Sequence, residues 1–219
     1  MGVRKNFELE MNQLTEKLIS MGELAEAAFS SSIEALKNQD TEQATRIIDN
    51  DEQINAIEEE IEELVVKIIA SQQPVASDLR KIMSAIKITT SVERIGDFAV
   101  DIAKSTLRIG NEELVKPLQD IPAMAELVQR MIRESLQAYK TDNAELAQEI
   151  SELDDKVDSL YAKIVQDLLS RMVDAPQKMD QIMQLAFVAR YIERMADHVT
   201  NISEAILYSV KGKRMDLNQ

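Results

Sequence analysis

Glu93, Asp97 and Asp101 stand four residues apart, and one hundred positions later Glu193, Asp197 and Asn201 repeat the spacing. The two stretches read ERIGDFAVD, beginning at Glu93, and ERMADHVTN, beginning at Glu193. On a helix, residues at i and i+4 share a face, and like charges there repel by roughly 0.2–0.5 kcal/mol per pair. Carboxylates stacked in this way suit one kind of chemistry, the gathering of oxygen donors around a cation. A second set lies on earlier segments, where Asp51, with Glu52 and Asn55, aligns with Asp154, with Asp155 and Asp158. Asp51 and Asp154 each follow an apolar seam position, Ile47 and Ile150, by four residues, which places them at the edge of the seam. Donors from two neighbouring helices of one bundle thus have the spacing to converge.

The donor set is almost entirely oxygen, because the chain holds one histidine and no cysteine. Such donors favour hard cations, Mg²⁺, Ca²⁺, Mn²⁺ or iron, over structural Zn²⁺. His198 neighbours Asp197 but points about 100° away from it on the helical wheel, and its counterpart is Phe98; it reads as an edge-of-core residue. A plainer reading of the stripes remains open. With Glu93 at zero, Asp97 and Asp101 fall near about 40° and 80°, away from the apolar stripe of Ile88, Val92, Ile95, Ala99 and Ile102. The acids would then form a solvated face, and Arg94 and Arg194, beside the first acid of each motif, could neutralise them by salt bridges. Against that stand the repetition in both halves and the apolar Ile82 and Ile86, which fall on the acidic side.

These residues need long helices to hold them. Met11, Leu14, Leu18, Met21, Ala25 and Ala28 alternate steps of three and four, a helix seam. Asp40 or Thr41 can cap a second helix, in which Ile47, Ile54, Ile61 and Ile68 recur every seven residues with Ile57 and Leu64 between. Ser77 or Asp78 can cap a third, ending near Gly110. NEELVKPLQDIPA, with Pro117 and Pro122, is the junction. Beyond it the layout returns, with Asp142 or Asn143 at the cap and Ile150, Val157 and Ile164 as heptads. The expectation is an all-α protein of six long helices, two tandem three-helix bundles related by internal duplication, residues 1–112 and 113–219, each with its own core.

Composition narrows the classes further. Five glycines and four prolines in 219 residues are too few for a strand-and-turn protein. A net charge of −14 argues against nucleic acid, whose phosphates are bound by Lys and Arg. Absence of cysteine removes disulfides and thiol chemistry and fits a reducing compartment. The start, MGVRKNFELEMNQ, has no apolar signal-peptide core, and the uncharged run IIASQQPVAS falls well short of the roughly 20 residues of a membrane span. A soluble, cytoplasmic protein is expected. No nucleophile with a base and no Gly-rich phosphate loop is present. A ferritin-type di-metal oxidase needs Glu-x-x-His, whereas Met195 stands three residues before the single histidine.

With the late-helix segments SVERIGDFAVDIAK and YIERMADHVTNISE, and with DNDEQIN and ELDDKVD before them, the chain resembles the PhoU family over nearly its whole length. The resemblance implies a cytoplasmic negative regulator of phosphate uptake and of the phosphate-starvation response. It implies an adaptor between the ATPase subunit of an ABC phosphate transporter and a membrane-bound sensor histidine kinase, without catalysis, and a homodimer is compatible with the broad apolar faces. It also implies metal, iron foremost with Mn, Mg, Ca or Zn as alternatives, at Asp51, Glu93, Asp97 and Asp101 in the first half and at Asp154, Asp158, Glu193 and Asp197 in the second. Asn201 and Asn55 stand where the acidic pattern calls for a carboxylate; Asn offers a neutral oxygen.

Overall fold

The computed structural model describes residues 2–217; the outermost positions assigned above to the two halves, 1, 218 and 219, lie outside the described residues. The helices are α1 Gly2–Asn38, α2 Thr41–Asp49, α3 Glu52–Gln72, α4 Ser77–Ile109, α5 Asp120–Lys140, α6 Ala144–Glu149, α7 Ser151–Asp174 and α8 Met179–Lys211, with a 3₁₀ turn at Pro176–Lys178. Counting α2 with α3 and α6 with α7 gives the six expected segments, and no strand occurs among the described residues.

The caps follow side-chain chemistry in two places and backbone strain in a third. Asp40 accepts from the Gln43 backbone N–H at 2.8 Å to start α2. Asn143 accepts from Glu145 and Leu146 at 3.0 and 3.1 Å to start α6. The expected cap of α4 at Ser77 or Asp78 is not formed. Ala76 precedes the helix with φ +47° and makes no side-chain cap, and the Ala76 carbonyl accepts from Arg80 at 3.1 Å instead. Gly110 ends α4 at φ +61°, a value that needs no Cβ.

The heptad isoleucines do not run along one unbroken helix. The chain breaks at Asn50 and Asp51, where both side chains can compete for backbone hydrogen bonds. Ile47 therefore joins a small cluster with Ala35, Ala44 and Ala103, while Ile54, Ile61 and Ile68 enter the main core. The break puts Asp51 at the N-terminus of α3, and the matching break at Ile150 puts Asp154 in the first turn of α7.

The 33-residue helices α4 and α8, each about 50 Å long at 1.5 Å per residue, pack against each other at the centre. They run antiparallel: Lys87 and Thr90 line the same cleft as Glu204 and Tyr208, while Phe98 meets Tyr191 at 6.0 Å and His198 at 5.8 Å between ring centroids. Around them α1 packs on α4 and α5, α3 on α1 and α4, and α7 on α5 and α8. The expectation of a separate core for each half is corrected by this packing, for one continuous cluster of buried residues runs from Leu14 to Leu207. Apolar stripes on α4 and α8 are each wide enough to serve their own half and the opposite one.

Candidate metal centre

The acids of the duplicated motif sit on α4 and α8, opposite α3 and α7 respectively. In the first half Asp51, Glu93, Asp97 and Asp101 are half-buried. Gly96 lets α3 approach closely: a Cβ there would lie 2.9 Å from Ile54 Cδ1 and 4.0 Å from Asp51 Oδ1. Burial first, and the Asp97 charge next, push the Glu93 carboxyl up to about 7, and a hydrogen bond shared with Asp97 adds to the shift. Asp51 is raised by burial and then by Asp97, with its Asn55 hydrogen bond working against the rise. Arg94 holds two of these acids: its Nη1 donates to Asp97 Oδ2 at 2.8 Å and its Nε lies 3.4 Å from Glu93 Oε2. Lys104 pairs with Asp101 at 3.3 Å.

The second half gathers Asp154, Asp158, Glu193 and Asp197. Burial raises Asp154 to about 6, with Asp158 and Asp197 adding to it and the Thr200 hydroxyl pulling down. Asp158 and Glu193 are raised by burial and then by Asp197. Asp197 is raised by burial against the fields of Arg190 and Arg194. Arg190 Nη1 donates to Glu193 Oε1 at 2.6 Å, whereas Glu193 Oε2 is buried without a hydrogen-bond partner. Asn201 is exposed and lines the cleft with Lys87 and Tyr208, because each step of four residues turns a helix face by about 40°.

Two neighbours of the acid clusters escaped the sequence reading. Glu58, half-buried on α3, is raised by burial and by Glu62, and feels Arg94 and Asp97; its spacing of seven from Asp51 was the available signal. Arg190 takes in the second half the ion-pairing role expected of Arg194, and its place three residues before Glu193 was visible. Arg194 instead crosses to the first half. Its guanidinium lies 5.4 Å over the Phe98 ring and borders a cleft of about 490 Å³ with Asp51, Asp97, Asp101, Lys104 and His198. His198 is half-buried, its Nδ1 lacks a hydrogen-bond partner, and burial followed by Arg194 and Arg94 lowers its pKa.

Among the described residues no three His, Asp or Glu side chains already converge tightly enough to hold an ion. The acids stand on facing helices without meeting at one point. The donor chemistry fits a hard cation. The unpartnered Glu193 Oε2 fits it in the second half, while Arg94 occupies the corresponding carboxylates in the first.

The domain family described as the PhoU domain matches residues 18–106 and again residues 121–206. The chain belongs to the PhoU family. One match falls in each half, as the duplicated motif does. The phosphate-specific transport system accessory protein PhoU homolog of Clostridium acetobutylicum is 42% identical over 216 residues, covering 98% of this chain and 99% of that protein. The phosphate-specific transport system accessory protein PhoU of Serratia marcescens is 36% identical over 207 residues, covering 94% of this chain and 85% of that protein. The crystal structure of PhoU from Pseudomonas aeruginosa superposes with a TM-score of 0.89 at 31% identity, covering 94% of this chain and 100% of that one. The phosphate transport system regulatory protein PhoU from Streptococcus pneumoniae superposes with a TM-score of 0.90 at 28% identity, over 96% and 99%. The all-α fold is thus the PhoU fold, and among the described residues no helix is long and apolar enough to cross a membrane.

Proposed function

We propose that this chain is a regulatory accessory protein of phosphate-specific transport. It restrains phosphate uptake and the phosphate-starvation response by bridging the ATPase subunit of an ABC phosphate transporter and a sensor histidine kinase on the cytoplasmic side, as a homodimer. The observation that carries this reading is family membership over both halves, with relatives named for that transport system. An acidic surface of net charge −14 suits protein partners with basic patches and not nucleic acid.

Hard cations, iron among them, are part of the proposal. Asp154, Asp158, Glu193 and Asp197 would hold one ion, and Asp51, Glu93, Asp97 and Asp101 a second. The ion's contribution when bound is compensation of buried negative charge. The chain's residues do the rest: α7 and α8 supply carboxylates from facing turns, and Arg190 and Arg94 neutralise part of each cluster.

Two measurements test the reading. Removal of the protein from its cell should derepress phosphate-starvation genes in ample phosphate, and the tagged chain should co-purify with the transporter ATPase. Unchanged expression together with no co-purification in both phosphate regimes refutes the adaptor role. For the cation, Mn²⁺ should raise the melting temperature, because a ligand specific for the native state stabilises it; a flat titration to millimolar Mn²⁺ refutes that part.

A further inference from the structure

Both long helices stop at a glycine of positive φ, Gly110 at +61° and Gly212 at +70°, and the chain after each turns back onto the bundle. After Gly110, Leu114, Val115 and Leu118 pack against the core, and two amide side chains fasten the segment. Gln39 donates to the Gly110 and Glu112 carbonyls at 2.8 and 2.7 Å. Gln181 accepts from the Val115 N–H at 2.7 Å and donates to the Glu113 carbonyl at 3.2 Å. Duplication puts Asp142 at the place of Gln39, each just before a helix cap, and Lys81 at the place of Gln181. Those two pair with each other at 2.6 Å, and neither is an amide. The segment after Gly212 therefore has no glutamine clamp at either equivalent position.

Residues 214–217 lie on the bundle all the same, and they lie there as a bound peptide does. They have no regular secondary structure, and their burial alternates. Met215 and Leu217 are half-buried and pack against the core, while Arg214 and Asp216 are exposed, the period of an extended chain. The Arg214 guanidinium lies 6.0 Å over the Tyr208 ring, and the Leu217 N–H donates to Glu204 Oε1 at 2.8 Å. Beside them a groove of about 710 Å³ runs between α4 and α8, with Lys87 and Thr90 on one wall, Glu204 and Tyr208 on the other, and Arg214 and Met215 at its edge.

We propose that this groove docks an extended segment of a partner protein that carries a basic residue followed by apolar ones, and that residues 213–217 are a strap which such a segment displaces. The strap displays the chemistry the groove accepts. A carboxylate takes a backbone N–H, alternate apolar side chains go inward, and an aromatic face takes a guanidinium. A chain of net charge −14 also draws a basic segment from solution. The strap has the advantage of being tethered, which raises its effective concentration. An incoming segment offsets that advantage by filling the volume that the strap leaves open. The partner's being a protein rests on the adaptor reading above; the groove and its strap do not.

A fluorescent peptide of residues 211–219, KGKRMDLNQ, added to the full chain and followed by anisotropy, tests this. Met215→Asp with Leu217→Asp releases the strap by removing its apolar anchors, and circular dichroism checks that the helices remain. The peptide should bind that variant at least about tenfold more tightly than the wild type, the factor expected when a closed strap leaves less than about a tenth of the chains open. A peptide carrying the same two changes should not bind. Hydrogen exchange of the wild type is the second measurement, and it decides alone if the variant loses helix. Amides from Lys213 to Leu217 should exchange at least about tenfold faster than those from Glu113 to Val115, as a segment that opens locally does. Equal peptide affinity for variant and wild type, binding by neither, or equal binding of the altered peptide overturns the groove. Equal protection of the two segments overturns the strap. Failure of the transporter ATPase to co-purify, with peptide binding intact, would remove the ATPase as the source of the segment and leave the groove standing.

Discussion

Replacing Gly96 with alanine sets two ordinary effects against each other. In an exposed helix interior the change stabilises by about 1 kcal/mol, the difference in helix propensity. Gly96, however, sits where α4 meets α3, and the added Cβ would lie 2.9 Å from Ile54 Cδ1 and 3.5 Å from its Cγ2. Ile54 is only 4% exposed, so its end methyl has little room to retreat, and overpacking of this kind is destabilising by about 1–3 kcal/mol. The expected net is a loss of about 1 kcal/mol, or roughly 2–4 °C in Tm for a chain of this size.

The second half supplies the control, because the pair equivalent to Gly96 and Ile54 is Ala196 and Val157, both fully buried. A methyl gained on one helix matches a methyl lost on the other. Ile54→Val alone should be destabilising by about 0.5–1.5 kcal/mol, yet Gly96→Ala with Ile54→Val should return close to wild type. That double-mutant cycle would show a coupling of about 2 kcal/mol, within the range for residues in contact. Urea unfolding followed by helical circular dichroism measures all four proteins. If Gly96→Ala stabilises by about 1 kcal/mol and the two changes simply add, the close approach of α3 to α4 is wrong.

Other perturbations reach other parts of the bundle. Gly22→Ala would place a Cβ 2.4 Å from Leu136 Cδ2, across the contact of α1 with α5; a loss of about 1–3 kcal/mol is expected, relieved when Leu136→Val is added, and additivity would refute the contact. Lys116, 6% exposed, bridges Asp120 at 2.5 Å and Asp167 at 2.6 Å and ties the junction to α7. Lys116→Met should speed proteolysis between residues 110 and 119, and an unchanged cleavage rate would count against that tie. Stability should also rise as pH falls. Glu93 at about 7 and Asp154 at about 6 lie above their ordinary values, so the folded chain holds these protons more tightly than the unfolded one. Their contribution is fully present below the unfolded values near 4 and is lost as pH climbs through 6 to 7. The urea midpoint should drop between pH 5 and pH 8, less so in Glu93→Gln, and an equal drop in that variant refutes the assignment.

Periodicity told which residues would be buried, because a stripe repeating every three or four positions needs only a neighbour to cover it. Leu14, Leu18, Met21, Ile61, Ile68, Ile88 and Ile95 all enter the core as their spacing requires. Periodicity could not tell which neighbour, and that is where the separate cores failed: α4 and α8 cover each other, a choice fixed by shape and not by the order of apolar residues. The candidate site divides along the same line. Positions of the acids were legible, since an i, i+4 repeat in both halves survives any detail of packing. What balances those acids was not, because the partner of a charge is set by the reach of a long side chain across a helix crossing. Arg94 and Arg194 occupy equivalent places in sequence, yet one clasps Glu93 and Asp97 while the other lies on Phe98. The difference traces to the residues around them: position 198 carries an imidazole where position 98 carries a phenyl ring, and Arg190 already holds Glu193. With Phe98 offering its ring face and Glu193 paired elsewhere, Arg194 gains more by cation–π contact across the crossing than by crowding an occupied carboxylate. Replacing Phe98 with leucine removes that attraction and should return Arg194 to Asp197, lowering the carboxyl pKa of Asp197 in a carbon-detected NMR titration; an unmoved Asp197 would mean the ring is not what draws the guanidinium away.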